Sequence, residues 1–262
     1  MRATFLAFIL LTLPLMAQAG AWLQPAGHGY RALQAGWYEN AHYFDRNSDL
    51  HAQATYRKQE LLPYLEYGVN AHLTLGGTGA LAYVEQSGSH TVGIADPEFF
   101  LRTALWQDAH QVLSLEPRLK LPSQFTETFP ASGSRSIDGE LALLYGRHLS
   151  WLSPRDYVDT RLGYRLRSDG LSAQIRSEAS LALHPLADWT FAPGLRAIYT
   201  PTIETSYYRE GAEMDQNLLK AELTVSYALS PTREVTATLY RHVAGTQAGD
   251  GGGLMLGIAG RF

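Results

Sequence analysis

YVDTRLGYRLR, residues 157 to 167, sets Val158, Thr160, Leu162, Tyr164 and Leu166 on one parity against Asp159, Arg161, Gly163, Arg165 and Arg167 on the other. Successive side chains of a strand point to opposite faces, so period two predicts a strand with one apolar and one charged face. The pattern repeats at 112 to 121, where Leu113, Leu115, Leu119 and Leu121 oppose Ser114, Glu116, Arg118 and Lys120. At 172 to 183, Ile175, Ala179, Leu181 and Leu183 oppose Gln174, Arg176, Glu178 and Ser180. A single such strand also suits a soluble sandwich. Twelve segments read this way, at 28–44, 50–67, 72–85, 96–106, 111–123, 137–148, 156–167, 172–184, 189–201, 216–228, 233–244 and 253–262. Their spacing allows a tilted membrane strand plus a connection, and an even count closes an antiparallel ring. The fold class is therefore all-β, a transmembrane antiparallel up-and-down β-barrel.

Both ends of the chain agree. Leu254, Leu256, Ile258, Gly260 and Phe262 form an apolar stripe that runs to the carboxylate, where soluble domains are usually polar and frayed. It is similar to the C-terminal membrane-assembly signal of outer-membrane proteins, which implies the outer-membrane assembly machinery as a partner. Residues 1 to 19 carry Arg2, the apolar run FLAFILLTLPLM and Ala17-Gln18-Ala19, the order of a cleaved signal peptide. The run is short and broken by Pro14, so a helical anchor is the weaker reading. Residues 20 to 262 are then one exported domain, placed in the cell outer membrane in contact with its lipid.

Composition removes several function classes. None of the 262 residues is Cys, so no disulfide framework or thiolate metal site exists. After the signal no apolar run approaches a spanning helix. The net charge of −4, from 21 basic and 25 acidic residues without long blocks, argues against nucleic acid as a partner. The nine His residues show no metal-ligand spacing, and no cofactor is called for. Asp250-Gly251-Gly252-Gly253 lacks the flanking ligands of a cation loop.

With the mature N-terminus in the periplasm, the even-numbered connections are periplasmic: GVNAH at 68–72, QDAH at 107–110, LSWLSPRD at 149–156, HPLAD at 184–188 and LSPTR at 229–233. The longer outer stretches are 86–95, 122–136, 202–215 and 245–253. Short periplasmic turns and long outer loops are the asymmetry of outer-membrane barrels. Tyr67, Trp106, Trp151, Trp189 and Tyr227 fall beside the short turns, as a periplasmic aromatic girdle would.

Four motifs carry a family resemblance: Tyr67 to Gly76 (YGVNAHLTLG), Gly93 to Glu98 (GIADPE), Leu119 to Pro122 (LKLP) and Asp138 to Gly146 (DGELALLYG). In this order the chain resembles the outer-membrane family named for the meta-pathway of phenol degradation, over residues 22 to 187. The resemblance implies a β-barrel transporter or channel. Asn70, Ala95 and Ser123 depart from the family pattern, so it does not identify phenol as the ligand.

The inward parity carries Arg102, Glu116, Arg118, Lys120, Asp159, Arg161, Arg165, Arg176, Glu178, Arg196 and Arg261, with Glu66, Glu140, Lys220 and Glu222 beside them. Such a lining either selects a solute or ion, or pairs across the lumen and partly fills it; interleaved signs favour partial filling. The function expected is a channel or transporter for a small solute, aromatic or anionic. Two alternatives stand beside it. One is a phospholipase-like, lipid-modifying barrel, for which His148 and Ser150 in Arg147-His148-Leu149-Ser150-Trp151 have the spacing of base and nucleophile but no orienting third residue. The other is a non-conducting structural or secretion-associated barrel. The sequence leaves oligomeric state open.

Overall fold

In a computed structural model, residues 20–124, 128–149, 151–203 and 215–262 are described. Residues 1–19, with the expected signal peptide, lie outside them, as do Ser150 and most of the stretch 202–215. The described residues form twelve strands: β1 (Gly29–Phe44), β2 (Leu50–Asn70), β3 (Leu73–Gln86), β4 (Ser89–Gln107), β5 (Gln111–Lys120), β6 (Asp138–His148), β7 (Tyr157–Arg167), β8 (Gln174–Leu186), β9 (Trp189–Tyr199), β10 (Asn217–Ser230), β11 (Arg233–Thr246) and β12 (Ala248–Arg261). Each pairs antiparallel with its sequence neighbours, and β12 pairs with β1 to close the ring. Closure pairs the backbone groups of the first and last strands, which lipid could not satisfy.

The ring is inside-out relative to a soluble protein. Its fully buried side chains include Glu66, Glu116 and Asp138, while Leu141, Leu162, Leu195 and Leu239 are each more than half exposed. Every strand contributes to this exposed apolar surface, which far exceeds the patches soluble monomers tolerate. A belt of this kind is stable against lipid, and the shortest strand, of ten residues, at about 3.3 Å per residue, crosses a hydrocarbon core of about 30 Å.

Two expected outer loops are strand. β4 begins at Ser89 rather than 96, across the two-residue hairpin Ser87-Gly88, whose φ values of 52° and 78° are those of a type I′ turn. β12 begins at Ala248 rather than 253, with Gln247 alone at the turn (φ 53°). Residues 86–95 and 245–253 read as loops because they are polar and Gly-rich. Strands that extend past the lipid no longer need an apolar outer face, so in β12 the alternation fades while the ladder continues. β5 in turn stops at Lys120, well short of the next strand at Asp138, and residues 121–137 connect the two.

That connection folds inward. The Ser123 hydroxyl donates to the Asp96 carboxylate (3.1 Å), the Ser134 amide donates to the same oxygen (3.1 Å), and Ser132, Ser134 and Ser136 are buried. At the opposite end, with the short turns, residues 20–28 enter the barrel before β1. Gly27 donates to the Gly68 carbonyl, and Ala26 bridges Gly68 in parallel. The approach is so close that a Cβ on Gly68 would lie 2.2 Å from the Pro25 carbonyl oxygen.

Candidate functional site: a charged lumen crossed by the N-terminal segment

The inward side chains of β2 and β4 to β10 build one chain of alternating charges. From Glu66 it passes to Arg102 (2.9 Å), Glu116 (2.7 Å), Arg118 (2.7 Å), Glu98 (2.7 Å), Arg165 (2.8 Å) and Glu140 (2.6 Å). From Glu140 it continues to Arg161 (2.5 Å), Glu178 (3.8 Å), Arg196 (3.4 Å), Glu222 (3.0 Å) and Lys220 (3.2 Å). Arg176 joins it at Glu140 (3.7 Å). The sequence places these groups on one parity, and antiparallel register puts opposite signs side by side: Arg118 pairs Glu140, Glu140 pairs Arg165, and Arg161 pairs Glu178. Charges withdrawn from water need partners of this kind, because removing one strands the next.

Exposure varies along the chain, peaking at β8–β9 and falling again to 10% at Glu222 and 19% at Lys220. The Arg102 side chain is 2% exposed and Arg161 8%, whereas Arg196 is 48% exposed and Glu178 32%. The inner part is filled; the β8–β9 part faces open space. Lys120 joins the chain through Asp138 (3.1 Å), which also pairs with Arg165 (3.4 Å), and donates to the Ser136 hydroxyl (3.0 Å) under the inward-folded connection. Asp159 lies by the N-terminal segment, and Arg261 stands on β12 away from the charge chain.

The sequence reading missed Glu98 and Asp138, although Glu98 shares the parity of Arg102 and Asp138 that of Glu140. It also missed a wall of tyrosines on β1, β2 and β11. Tyr38 stacks on Tyr240 (6.3 Å between centroids, 5° between planes), meets Tyr56 edge-on (6.1 Å) and touches the ring of His242 (5.3 Å). Tyr30 meets Tyr64 edge-on (6.3 Å), and the Lys220 ammonium lies 4.8 Å over the Tyr240 ring. Parity with Glu66 is the signal that would have found Tyr56 and Tyr64. Between the two walls lies a cavity of about 1210 Å³, whose lining includes Tyr38, Tyr64, Tyr240, Arg118, Arg196 and Lys220.

Residues 20–24 close its short-turn end. The Ala21 amide donates to the Asp159 carboxylate (3.1 Å) and its carbonyl accepts from Ser114 (2.6 Å). The Trp22 carbonyl accepts from Arg102 (3.1 Å), the Gln24 amide donates to Thr74 (2.8 Å), and its side-chain amide donates to Glu66 (2.6 Å). The Trp22 ring packs edge-on against Tyr157 (5.4 Å) and lies over Gly146, where a Cβ would come within 2.4 Å of the indole. This segment therefore crosses the lumen from the β2–β3 side to the β5–β7 side. Its contact with Arg102 and Glu66 ties it into the charge chain.

The other sequence-predicted positions face outward. Tyr67, Trp106, Trp189 and Tyr227 are exposed beside short turns, Trp151 projects from the 149–156 turn, and Leu254, Leu256, Ile258 and Phe262 lie on the outer face of β12. The Phe262 carbonyl and amide are paired with Gly29, so the terminal residue belongs to the closing seam. The His148 ring lies tilted against Trp22 (5.5 Å between centroids, 48° between planes), while Ser150 is outside the described residues.

A family model described as "Putative MetA-pathway of phenol degradation" matches residues 24–258. Among solved structures, the COG4313 outer membrane channel from Pseudomonas putida F1 superposes with a TM-score of 0.76 at 14% identity, covering 94% of this chain and 100% of that one. The NanC porin gives 0.57 at 8% identity, covering 88% and 98%, and the CymD monoaromatic hydrocarbon channel gives 0.50 at 9%, covering 91% and 88%. At these identities the likeness establishes the fold. No curated protein matches the sequence.

Proposed function

We propose, from the premise that this chain belongs to the family whose model spans residues 24–258, that it is an outer-membrane channel for a small solute, aromatic or anionic. The observation that carries this reading is the cavity itself: about 1210 Å³, walled on one side by tyrosine rings and on the other by charged groups among which Arg196 is half exposed. A planar ring finds stacking partners on Tyr38 and Tyr240, while a carboxylate finds Arg196 opposite. The apolar outer belt supports placement in the outer membrane, and the fold likeness to outer-membrane channels supports passage through the lumen. No covalent chemistry is required of the lining; the charged groups act by selecting what enters.

The test is single-channel recording of the protein in a planar bilayer, with ion selectivity and block by small aromatic carboxylates read together. Discrete, selective openings that benzoate-like anions block support the reading. A barrel shown to be folded and inserted yet electrically silent overturns it in favour of a plugged, structural barrel.

A further inference from the structure

Like Glu234, which instead accepts from the Tyr30 hydroxyl (3.3 Å), Asp159 stands outside the ion pairs that hold the other inward carboxylates. Glu66, Glu98, Glu116, Asp138, Glu140, Glu178 and Glu222 each have a basic side chain within ion-pair distance; Asp159 has none among the described residues. The nearest cations are committed elsewhere, Arg102 to Glu66 and Glu116, and Arg161 to Glu116, Glu140 and Glu178. What Asp159 does hold is the chain's own backbone. Its Oδ2 accepts from the Ala21 amide (3.1 Å), and a Cβ built on Gly20 would fall 1.6 Å from that same oxygen. Gly20 also has φ +122°, so both the space and the conformation at residue 20 exclude a side chain. The backbone of residue 20 is pressed against a carboxylate that lacks a counter-charge.

Gly20 is also the residue that follows the Ala17-Gln18-Ala19 cleavage pattern. Hydrolysis of the Ala19–Gly20 amide breaks the C–N bond. Water's oxygen goes to the Ala19 carbonyl carbon, leaving a carboxylate, and both water protons end on the Gly20 nitrogen, leaving an ammonium. We propose that Asp159 is the docking site for the α-ammonium of Gly20 that this cleavage creates, so that processing gives Asp159 its counter-charge and locks residues 20–24 across the lumen. Cleavage thus delivers the cation that Asp159 lacks. Asp159 then serves the chain's own terminus rather than a passing solute. A glycine suits this position because a Cβ on residue 20 would collide with the Asp159 carboxylate.

The experiment uses protein isolated from outer membranes after expression with its own leader, and it does not depend on conductance. Intact mass gives the first residue, and the folded barrel is then treated with 2-pyridinecarboxaldehyde, which modifies free α-amines. The expected result is a mass beginning at Gly20 and an amine labelled at least about tenfold more slowly in the folded wild type than in folded Asp159→Asn or in heat-unfolded wild type. A mature chain that begins elsewhere, a wild-type amine that labels as fast folded as unfolded, or equal rates in wild type and Asp159→Asn would each overturn the proposal. If Asp159→Asn does not assemble, the wild-type mass and the folded-to-unfolded labelling ratio still decide it.

Discussion

Single side chains in this lumen carry opposite burdens according to their exposure. Glu116 is fully buried and holds Arg102 and Arg118 at 2.7 Å, so Glu116→Ala leaves two guanidiniums short of a partner. Loss of about 3 kcal/mol is expected, read as a lower denaturant midpoint for unfolding in detergent; an unchanged midpoint would show the chain of charges to be structurally idle. Arg196 faces the cavity and gives up much less on substitution. Arg196→Glu is expected to fold normally and to move the reversal potential toward cation preference in a salt gradient, and an unmoved potential would remove Arg196 from the selectivity lining. Outside the membrane-spanning region, Asp156 organises the turn before β7. Burial pushes its carboxyl up, but backbone N–H groups of Leu152, His184 and Ser153 override this and hold it below the usual carboxylate range. A depressed value in the folded state gives stability that is present above the unfolded value, about 3.9, and lost as pH falls through the folded one. Asp156→Asn should therefore lower the thermal midpoint at pH 7 and make little difference near pH 2; an equal deficit at both would show that charge is not what anchors the turn.

At the scale of elements, the N-terminal segment is the piece that crosses the lumen at its short-turn end. It is held by side chains of β2 to β5 and β7 rather than by a ladder of its own, apart from its contacts at Gly68. Removing residues 21–27 should leave the barrel folded, since all twelve strand pairings lie outside them, and should raise single-channel conductance several-fold. Conductance equal to wild type in that deletion would place the constriction elsewhere, with the inward-folded 121–137 connection as the next element to remove. The strands themselves were legible wherever lipid enforces alternation, as in β7, whose expected span of 156–167 differs from the observed one by a residue. They were illegible at the outer end of β12, where a Gly-rich strand looks like a loop, and at the start of β4, where Val92 and Ile94 alternate for too few residues beside the polar turn to stand out.

For the whole molecule, the balance is between lipid outside and paired charge inside. Leu141 is 54% exposed on the apolar belt, so Leu141→Arg should cost about 2–4 kcal/mol of stability in bilayers while changing little in the lumen. Phe262 is paired at the closing seam and ends the outward stripe of β12; its deletion should lower the yield of folded, heat-modifiable protein more than it alters conductance of what does assemble. Normal yield without Phe262 would sink its role in assembly. Strand number and antiparallel closure followed from the sequence alone, because a two-sided strand between lipid and water writes its period directly into the residues. Which acid meets which base, that tyrosines from β1, β2 and β11 gather opposite the charges, and that residues 20–24 cross the lumen to leave Asp159 facing Gly20 were settled only by tertiary structure. Such contacts depend on the register of non-adjacent strands around a closed ring and on a segment without periodicity, and local pattern carries no record of either.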